Sequence, residues 1–374
     1  MHAAILMWRS LALAAILSAS ACTGAPEPVG GGSMTARRPL VIAHRGASAL
    51  LPEHTLAAYQ KAIEDGADFI EPDLVMTRDG VLVARHDNAL GGTTDVAAVA
   101  EFASRRATRT IDGETQTDWF VEDFTLDELR QLRARERLPD LRGTAHDGLH
   151  GVPTFAEIVD LVAHEAQQRG RAIGLIPEIK HSSHHHAAGL DPERALAEAI
   201  AGHAYLRRAP LGIQSFEVGN LRRLHALLHG HANVFLVQLV GSPDEAPVDR
   251  ALAGESAHTY ASMLTPAGLR GVAEYARVIA PPGRAVLPLD AKGSIAAPTQ
   301  LVADAHAVGL EVHVWTLRPE NRFLPPALRC GDDLDARCDS GAIAEAQAFA
   351  AAGVDAVFVD DPGLACAALG KREH

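Results

Sequence analysis

No long run of lysine and arginine interrupts this sequence: 34 basic side chains face 47 acidic ones, a formal charge of −13. A domain of that sign repels a polyphosphate backbone, so no nucleic acid is expected as a partner. Cysteines number only 4, and the close pair Cys330 and Cys338 has no second ligand pair nearby, which disfavours a zinc site. Aromatic residues make up 5% of the chain, so a tryptophan closing an apolar run stands out. There is no internal repeat beyond a plain strand–helix alternation. With 47% hydrophobic and 22% charged residues over 374 positions, the composition is globular, and collagenous, coiled-coil and largely disordered classes are excluded.

Residues 1–22 differ from the rest. Met1 to Ser10 carries one arginine, Leu11 to Ala19 is apolar, and Ala19-Ser20-Ala21-Cys22 follows. That is the layout of a secretory signal peptide, and its apolar run is too short for a bilayer-spanning helix. Cys22 directly after small residues also resembles a bacterial lipoprotein signal, in which the cysteine is lipidated after cleavage; a plain secretory signal with an incidental cysteine is the other reading. Residues 23–38, rich in Gly, Pro and Ser, have the composition of a flexible tether. The expectation is an exported protein, periplasmic or anchored to a membrane through Cys22. In an oxidising compartment Cys330 and Cys338 could form a disulfide, two thiols being the alternative.

From Leu40 onward, short Val/Ile/Leu runs alternate with amphipathic Ala/Leu/Glu/Arg stretches, the pattern of βαβ units around a parallel sheet. Strands are predicted over Leu40–Ala43, Phe69–Thr77, Gly174–Glu178, Leu211–Gln214, Val234–Leu239, Val278–Ala280, Glu311–Thr316 and Ala356–Val359. Eight such strands with intervening helices predict a (β/α)8 TIM barrel over residues 39–370. Asp79-Gly80 before Val81–Arg85 signals a hairpin. Residues 88–152 read as a polar insertion after the second barrel strand, long enough to be a lid or binding surface.

The chemistry-bearing residues gather at predicted strand ends. Glu71 and Asp73 are two apart, so in a strand they project to one side, and two carboxylates facing one way can grip a hard cation. Glu178 ends the next strand and faces the same rim. Three carboxylates with no cysteine favour Ca²⁺ or Mg²⁺ over Zn²⁺, with calcium preferred outside the cell. Lys180, two positions beyond Glu178, could hold a phosphate or neutralise the carboxylates. His44 closes the first strand, where barrel enzymes place their catalysts, and Arg45 beside it offers bidentate donors to phosphate oxygens. His86 supplies a second imidazole, and phosphodiester cleavage needs one group to activate the attacking hydroxyl and another to protonate the leaving alkoxide. Gln214 and Gln238 could complete the polar lining or cap strand ends. Trp315 could face a substrate or fill the rim. His181, His184, His185 and His186 read as a solvated loop at the barrel mouth, with a transition-metal site as the alternative.

Taken in order, His44-Arg-Gly-Ala-Ser, Pro52-Glu-His-Thr55, Glu71-Pro-Asp73-Leu-Val-Met-Thr, His86-Asp87, Pro177-Glu-Ile-Lys180 and Phe358-Val-Asp-Asp-Pro362 resemble the signature blocks of the glycerophosphodiester phosphodiesterase family. The His184–His186 run and Val312–Thr316 are similar to its longer bacterial periplasmic branch. The resemblance spans about residues 40–364 and implies hydrolysis of small-molecule glycerophosphodiesters, such as glycerophosphocholine, to an alcohol and glycerol 3-phosphate. It also implies His44 and His86 as the acid/base pair, Glu71, Asp73 and Glu178 as metal ligands, and Arg45 and Lys180 as phosphate contacts. Two rival expectations are a sphingomyelinase-D-like lipid phosphodiesterase, which calls for an apolar collar that the polar 88–152 stretch does not suggest, and a surface lipoprotein with a binding role.

Overall fold

The structure, a computed structural model, describes residues 38–370. The signal-like segment with Cys22, and all of the tether except Arg38, lie outside the described residues. Eight parallel strands close into a barrel: β1 (Leu40–His44), β2 (Phe69–Glu71 and Asp73–Met76), β3 (Gly174–Leu175 and Glu178–Ile179), β4 (Leu211–Ser215), β5 (Val234–Leu239), β6 (Val278–Ala280), β7 (Glu311–Leu317) and β8 (Ala356–Val359). Each pairs with the next, and β8 returns to β1 through Leu40↔Ala356 and Val41↔Val357.

Alternation along each strand separates two apolar layers. Ile42, Phe69, Ile176, Val237, Val278 and Phe358 fill the barrel, while Val41, Ala43, Ile70 and Leu175 face the surrounding helices. The filling leaves no room for a side chain at Gly174, where an added Cβ would lie 2.2 Å from the ring of Phe69.

Two of the expected strands are interrupted. Pro72 splits β2 and Ile176-Pro177 splits β3, because proline has no N–H for the ladder. Their carbonyls still accept: Glu178 N–H donates to Pro72 O, and Gln214 N–H to Pro177 O, both at 2.9 Å. The register therefore survives the breaks, and Asp73↔Glu178 and Glu178↔Gln214 are direct partners. On the other side of β2, His44 pairs with Glu71. Residues far apart in the chain thus stand side by side on the C-terminal rim.

The 88–152 insertion departs from its polar reading. A hairpin (Ala107–Ile111 with Glu114–Asp118) and short 3₁₀ turns enclose a small core of Leu90, Val96, Phe102, Val121, Phe124, Leu129 and Leu132 that packs on Val75 and Val83. Its apolar residues are irregularly spaced, as suits turns rather than long elements, so no periodicity marks them. Among the described residues, no helix is long and apolar enough to cross a membrane.

Candidate active site

The β1 rim turns sharply. Arg45 and Gly46 take φ of +59° and +89°, and at Gly46 a Cβ would meet the Ala58 backbone at 2.7 Å, so glycine is required there. The turn delivers the Arg45 backbone N–H to Glu71 Oε2 at 2.8 Å and its guanidinium to Glu53 at 3.0 Å and Asp73 at 3.3 Å. His54, also at positive φ, donates from Nε2–H to Asp73 Oδ2 at 2.9 Å, with Nδ1 against the Tyr59 hydroxyl. Thr55 then caps the helix Leu56–Glu64 by accepting from Ala58 N–H.

Glu71, Asp73 and Glu178 converge as expected of their strand positions: each offers an oxygen within 4.8 Å of the others', and all three are buried. Burial, and then the Asp73 charge, hold the Glu71 carboxyl well above the usual range. Glu178 is pushed up to about 8 by burial, against the opposing pull of Lys180. Burial also acts on Asp73, but Lys180, His54 and Arg45 outweigh it and keep this carboxylate ionised. Two raised carboxyls beside an ionised one are a site short of positive charge. An all-oxygen, anionic donor set of this kind fits a hard divalent cation.

Both histidines are held by carboxylates. His44 Nδ1 lies 2.7 Å from Asp360 Oδ1 and His86 Nδ1 lies 2.6 Å from Asp87 Oδ1, which leaves Nε2 of each ring for the cavity. Burial, then Arg45, lowers His44 to about 4; burial, Arg45 and Lys180 lower His86 to about 3. Both rings are therefore neutral at pH 7, with Nδ1–H donating to the carboxylate and Nε2 carrying a lone pair. His44, Arg45, Glu71, Asp73, His86, Glu178, Lys180, Gln214 and Trp315 all line one cavity of about 100 Å³.

The open alternatives for the flanking residues resolve differently. Lys180 is buried and bonds Glu178 Oε1 at 2.9 Å, and Gln214 Nε2 donates to Glu71 Oε1 at 2.8 Å. Gln238 stays out of the cavity: its Nε2 donates to the carbonyls of Ser215, Phe216 and Leu239, and its Oε1 accepts from Tyr275. Trp315 lies on the rim with its indole N–H donating to Ala280 O at 2.9 Å. The histidine run is not a loop but the helix Ser182–Ala187. His181 pairs with Asp112 at 2.6 Å and His184 with Glu122 at 2.6 Å, tying the barrel to the insertion. His186 pairs with Glu193, which Arg223 also binds, so its nearest potential metal partner is already neutralised. Cys330 and Cys338 are joined by a disulfide.

Several contributors carried no mark at the level of sequence pattern. Asp360 Oδ2 also accepts from Arg142 at 2.7 Å and Arg318 at 3.0 Å. Arg137 bridges Asp87 and Glu53, both at 2.7 Å. Asp360 stands in the Phe358–Pro362 block at a strand end, a position that could have flagged it; nothing in the sequence distinguishes Arg137 or Arg142 from surface arginines.

A model of the glycerophosphoryl diester phosphodiesterase family matches residues 44–364. The Arabidopsis thaliana glycerophosphodiester phosphodiesterase GDPD6 is 35% identical over 302 residues, covering 77% of this chain and 76% of that protein. The Treponema pallidum glycerophosphodiester phosphodiesterase is 28% identical over 349 residues, covering 89% of this chain and 92% of that protein. Among solved structures, an Oleispira antarctica phosphodiesterase in complex with its product sn-glycerol-3-phosphate superposes with a TM-score of 0.57 at 21% identity, over 89% of this chain and 97% of that one. At that identity the likeness speaks for the fold.

Proposed function

Because the chain belongs to the glycerophosphoryl diester phosphodiesterase family and is a phosphoric diester hydrolase of glycerophosphodiesters, we propose that it releases glycerol 3-phosphate and an alcohol from deacylated phospholipids, with a divalent cation held by Glu71, Asp73 and Glu178. The observation that carries this reading is the convergence of three buried carboxylates with two carboxylate-held imidazoles on one cavity. When bound, a hard dication supplies Lewis acidity toward phosphoryl oxygen and lowers the pKa of a hydroxyl. Calcium is favoured over magnesium on the expectation of an exported, calcium-rich setting.

The chain's own residues then divide the work. His44 and His86 act as the acid/base pair: with Nδ1 of each committed to Asp360 or Asp87, proton transfer runs through Nε2. One ring takes the proton of a substrate glycerol hydroxyl as its oxygen bonds to phosphorus, and the other, protonated as the anionic substrate binds, delivers a proton to the leaving alkoxide, after which water opens the cyclic phosphate to glycerol 3-phosphate. The Arg45 guanidinium and the Lys180 ammonium, both buried among carboxylates, offer charge to phosphate oxygens. Gln214 steadies Glu71, and Trp315 offers an apolar wall to the glycerol. We place the enzyme outside the cytoplasm, either periplasmic or membrane-anchored through Cys22; the Cys330–Cys338 disulfide supports an oxidising compartment.

The test incubates purified protein with glycerophosphocholine, glycerophosphoethanolamine and sphingomyelin, with and without EDTA. The expected result is glycerol 3-phosphate released from the glycerophosphodiesters, abolished by EDTA, restored by added Ca²⁺, and reduced at least about 10²-fold in His44→Ala and His86→Ala. Metal-independent release, or activity on sphingomyelin alone, would overturn it.

A further inference from the structure

A second, larger cavity of about 310 Å³ adjoins the first and shares Glu178, Lys180, Phe216 and Trp315 with it. The inner cavity is narrow and holds the imidazoles and the carboxylate trio. The outer one has a different chemistry. Phe216 stands at the junction, edge-on to both Trp315 and Tyr260 at ring distances of 6.0 and 6.2 Å. Around these rings stand the carboxylates of Asp112, Glu217 and Glu245. Asp112 comes from the tip of the insertion hairpin and is held by His181 at 2.6 Å, while Glu217 accepts from the Ser183 backbone N–H at 3.0 Å. Among the described residues, the one cationic side chain lining this space is Lys180, already bonded to Glu178 and lying 5.6 Å from the Phe216 ring centre; the His181 imidazole is already bonded to Asp112. The cavity is therefore net acidic, with aromatic walls.

An anionic head group would meet repulsion in such a space. A neutral polyol could donate its hydroxyls to these carboxylates, but it would gain no charge attraction from them. A compact cation gains both from the ring faces and from the carboxylates, and a quaternary one needs no hydrogen bonds of its own. From these walls and from the shared boundary with the catalytic cavity, we propose that the outer cavity is the head-group subsite and that it selects cationic amino-alcohol leaving groups, choline before ethanolamine. This rests on the phosphodiesterase reading given above, because it assigns the inner cavity to the phosphate and glycerol. The insertion contributes to selectivity through Asp112.

The discriminating substrate pair is glycerophosphocholine and its carbon isostere, glycerophospho-3,3-dimethylbutanol, which has the same shape and the same anionic phosphodiester but an uncharged head group. Wild type should show kcat/KM about tenfold higher for the choline ester. Glu217→Gln and Tyr260→Leu should each bring that ratio towards one while leaving kcat/KM for the carbon isostere within about twofold. A wild-type ratio near one, or a ratio that persists in both folded variants, overturns the inference and leaves the phosphodiesterase reading standing. If neither ester is cleaved, that reading fails, and calorimetric titration of free choline against 3,3-dimethylbutanol decides the subsite alone: choline binding weakened in Tyr260→Leu supports it, and no preference for choline overturns it.

Discussion

Asp360 accepts on one oxygen from His44 Nδ1–H and on the other from two arginines, Arg142 and Arg318. Burial works against its charge, but the guanidinium of Arg318, the His44 hydrogen bond and Arg142 keep the carboxylate ionised far below its usual range. A fully ionised partner fixes the tautomer of His44, so that Nε2 rather than Nδ1 carries the lone pair. Asp87 does the same for His86, yet from a site where about a third of its side chain is exposed. The two carboxylates should therefore differ in weight. Asp360→Asn, which keeps the shape and removes the charge, is expected to lower kcat by about 10²-fold or more, whereas Asp87→Asn lowers it by about tenfold, with KM within a few-fold in both. Steady-state kinetics on glycerophosphocholine decide, and an Asp360→Asn enzyme with the wild-type kcat would remove the orienting role. His44, Glu71, His86 and Glu178 were legible in sequence because each closes an apolar run, and Asp73 because it stands two residues from Glu71. Asp360 was half-legible for the same reason, but its arginine partners were not, since Arg142 lies 218 residues away in the chain.

At the scale of elements, the barrel is the legible part and the insertion the illegible one. Strand positions follow from apolar runs, and even the proline breaks in β2 and β3 leave the register intact because carbonyls continue the ladder. The insertion folds around scattered residues such as Leu90, Phe102 and Phe124, and it sends Arg137 and Arg142 to the carboxylates behind both histidines. It is thus part of the active site's support and not an appendage. Its anchorage includes Glu122, buried against His184, Asn88 and Arg109. Burial alone would raise this carboxyl, but the hydrogen bonds from His184 and Asn88 prevail and lower it from 4.5 to about 2. A folded-state pKa below the unfolded one contributes stability at pH above 4.5 and loses it as pH falls from 4.5 towards 2, at most about 3 kcal/mol. Fluorescence of Trp119, whose indole donates to Phe102 O inside the insertion, should report loosening across that window in wild type. Glu122→Gln should be less stable at pH 7 and flatter below pH 4.5. An acid response unchanged in Glu122→Gln would place the anchorage elsewhere.

Across the whole molecule, loops far apart in the chain join behind His44. Glu320, just beyond β7, bonds Arg142 at 2.7 Å, and Arg142 in turn holds Asp360 beside His44. The Cys330–Cys338 disulfide, eight residues apart, closes a loop that lies against the segment carrying Glu320 and is tied to it by Asn321, whose Oδ1 accepts from Cys330 N–H and whose Nδ2 donates to Asp333 O. Cys338 N–H donates to Pro319 O, so the bridge fastens both flanks of Glu320's loop. Linking residues this close removes loop entropy from the unfolded chain, worth about 2–3 kcal/mol for so short a ring. The Cys330→Ser/Cys338→Ser protein is accordingly expected to unfold several degrees lower than wild type by calorimetry. Because Asp360 keeps Arg318 when the loop loosens, kcat on glycerophosphocholine should fall only a few-fold at temperatures where the variant is folded. A variant with wild-type Tm but kcat reduced by 10²-fold would invert that assignment, making the bridge a support of the active site before a support of the fold.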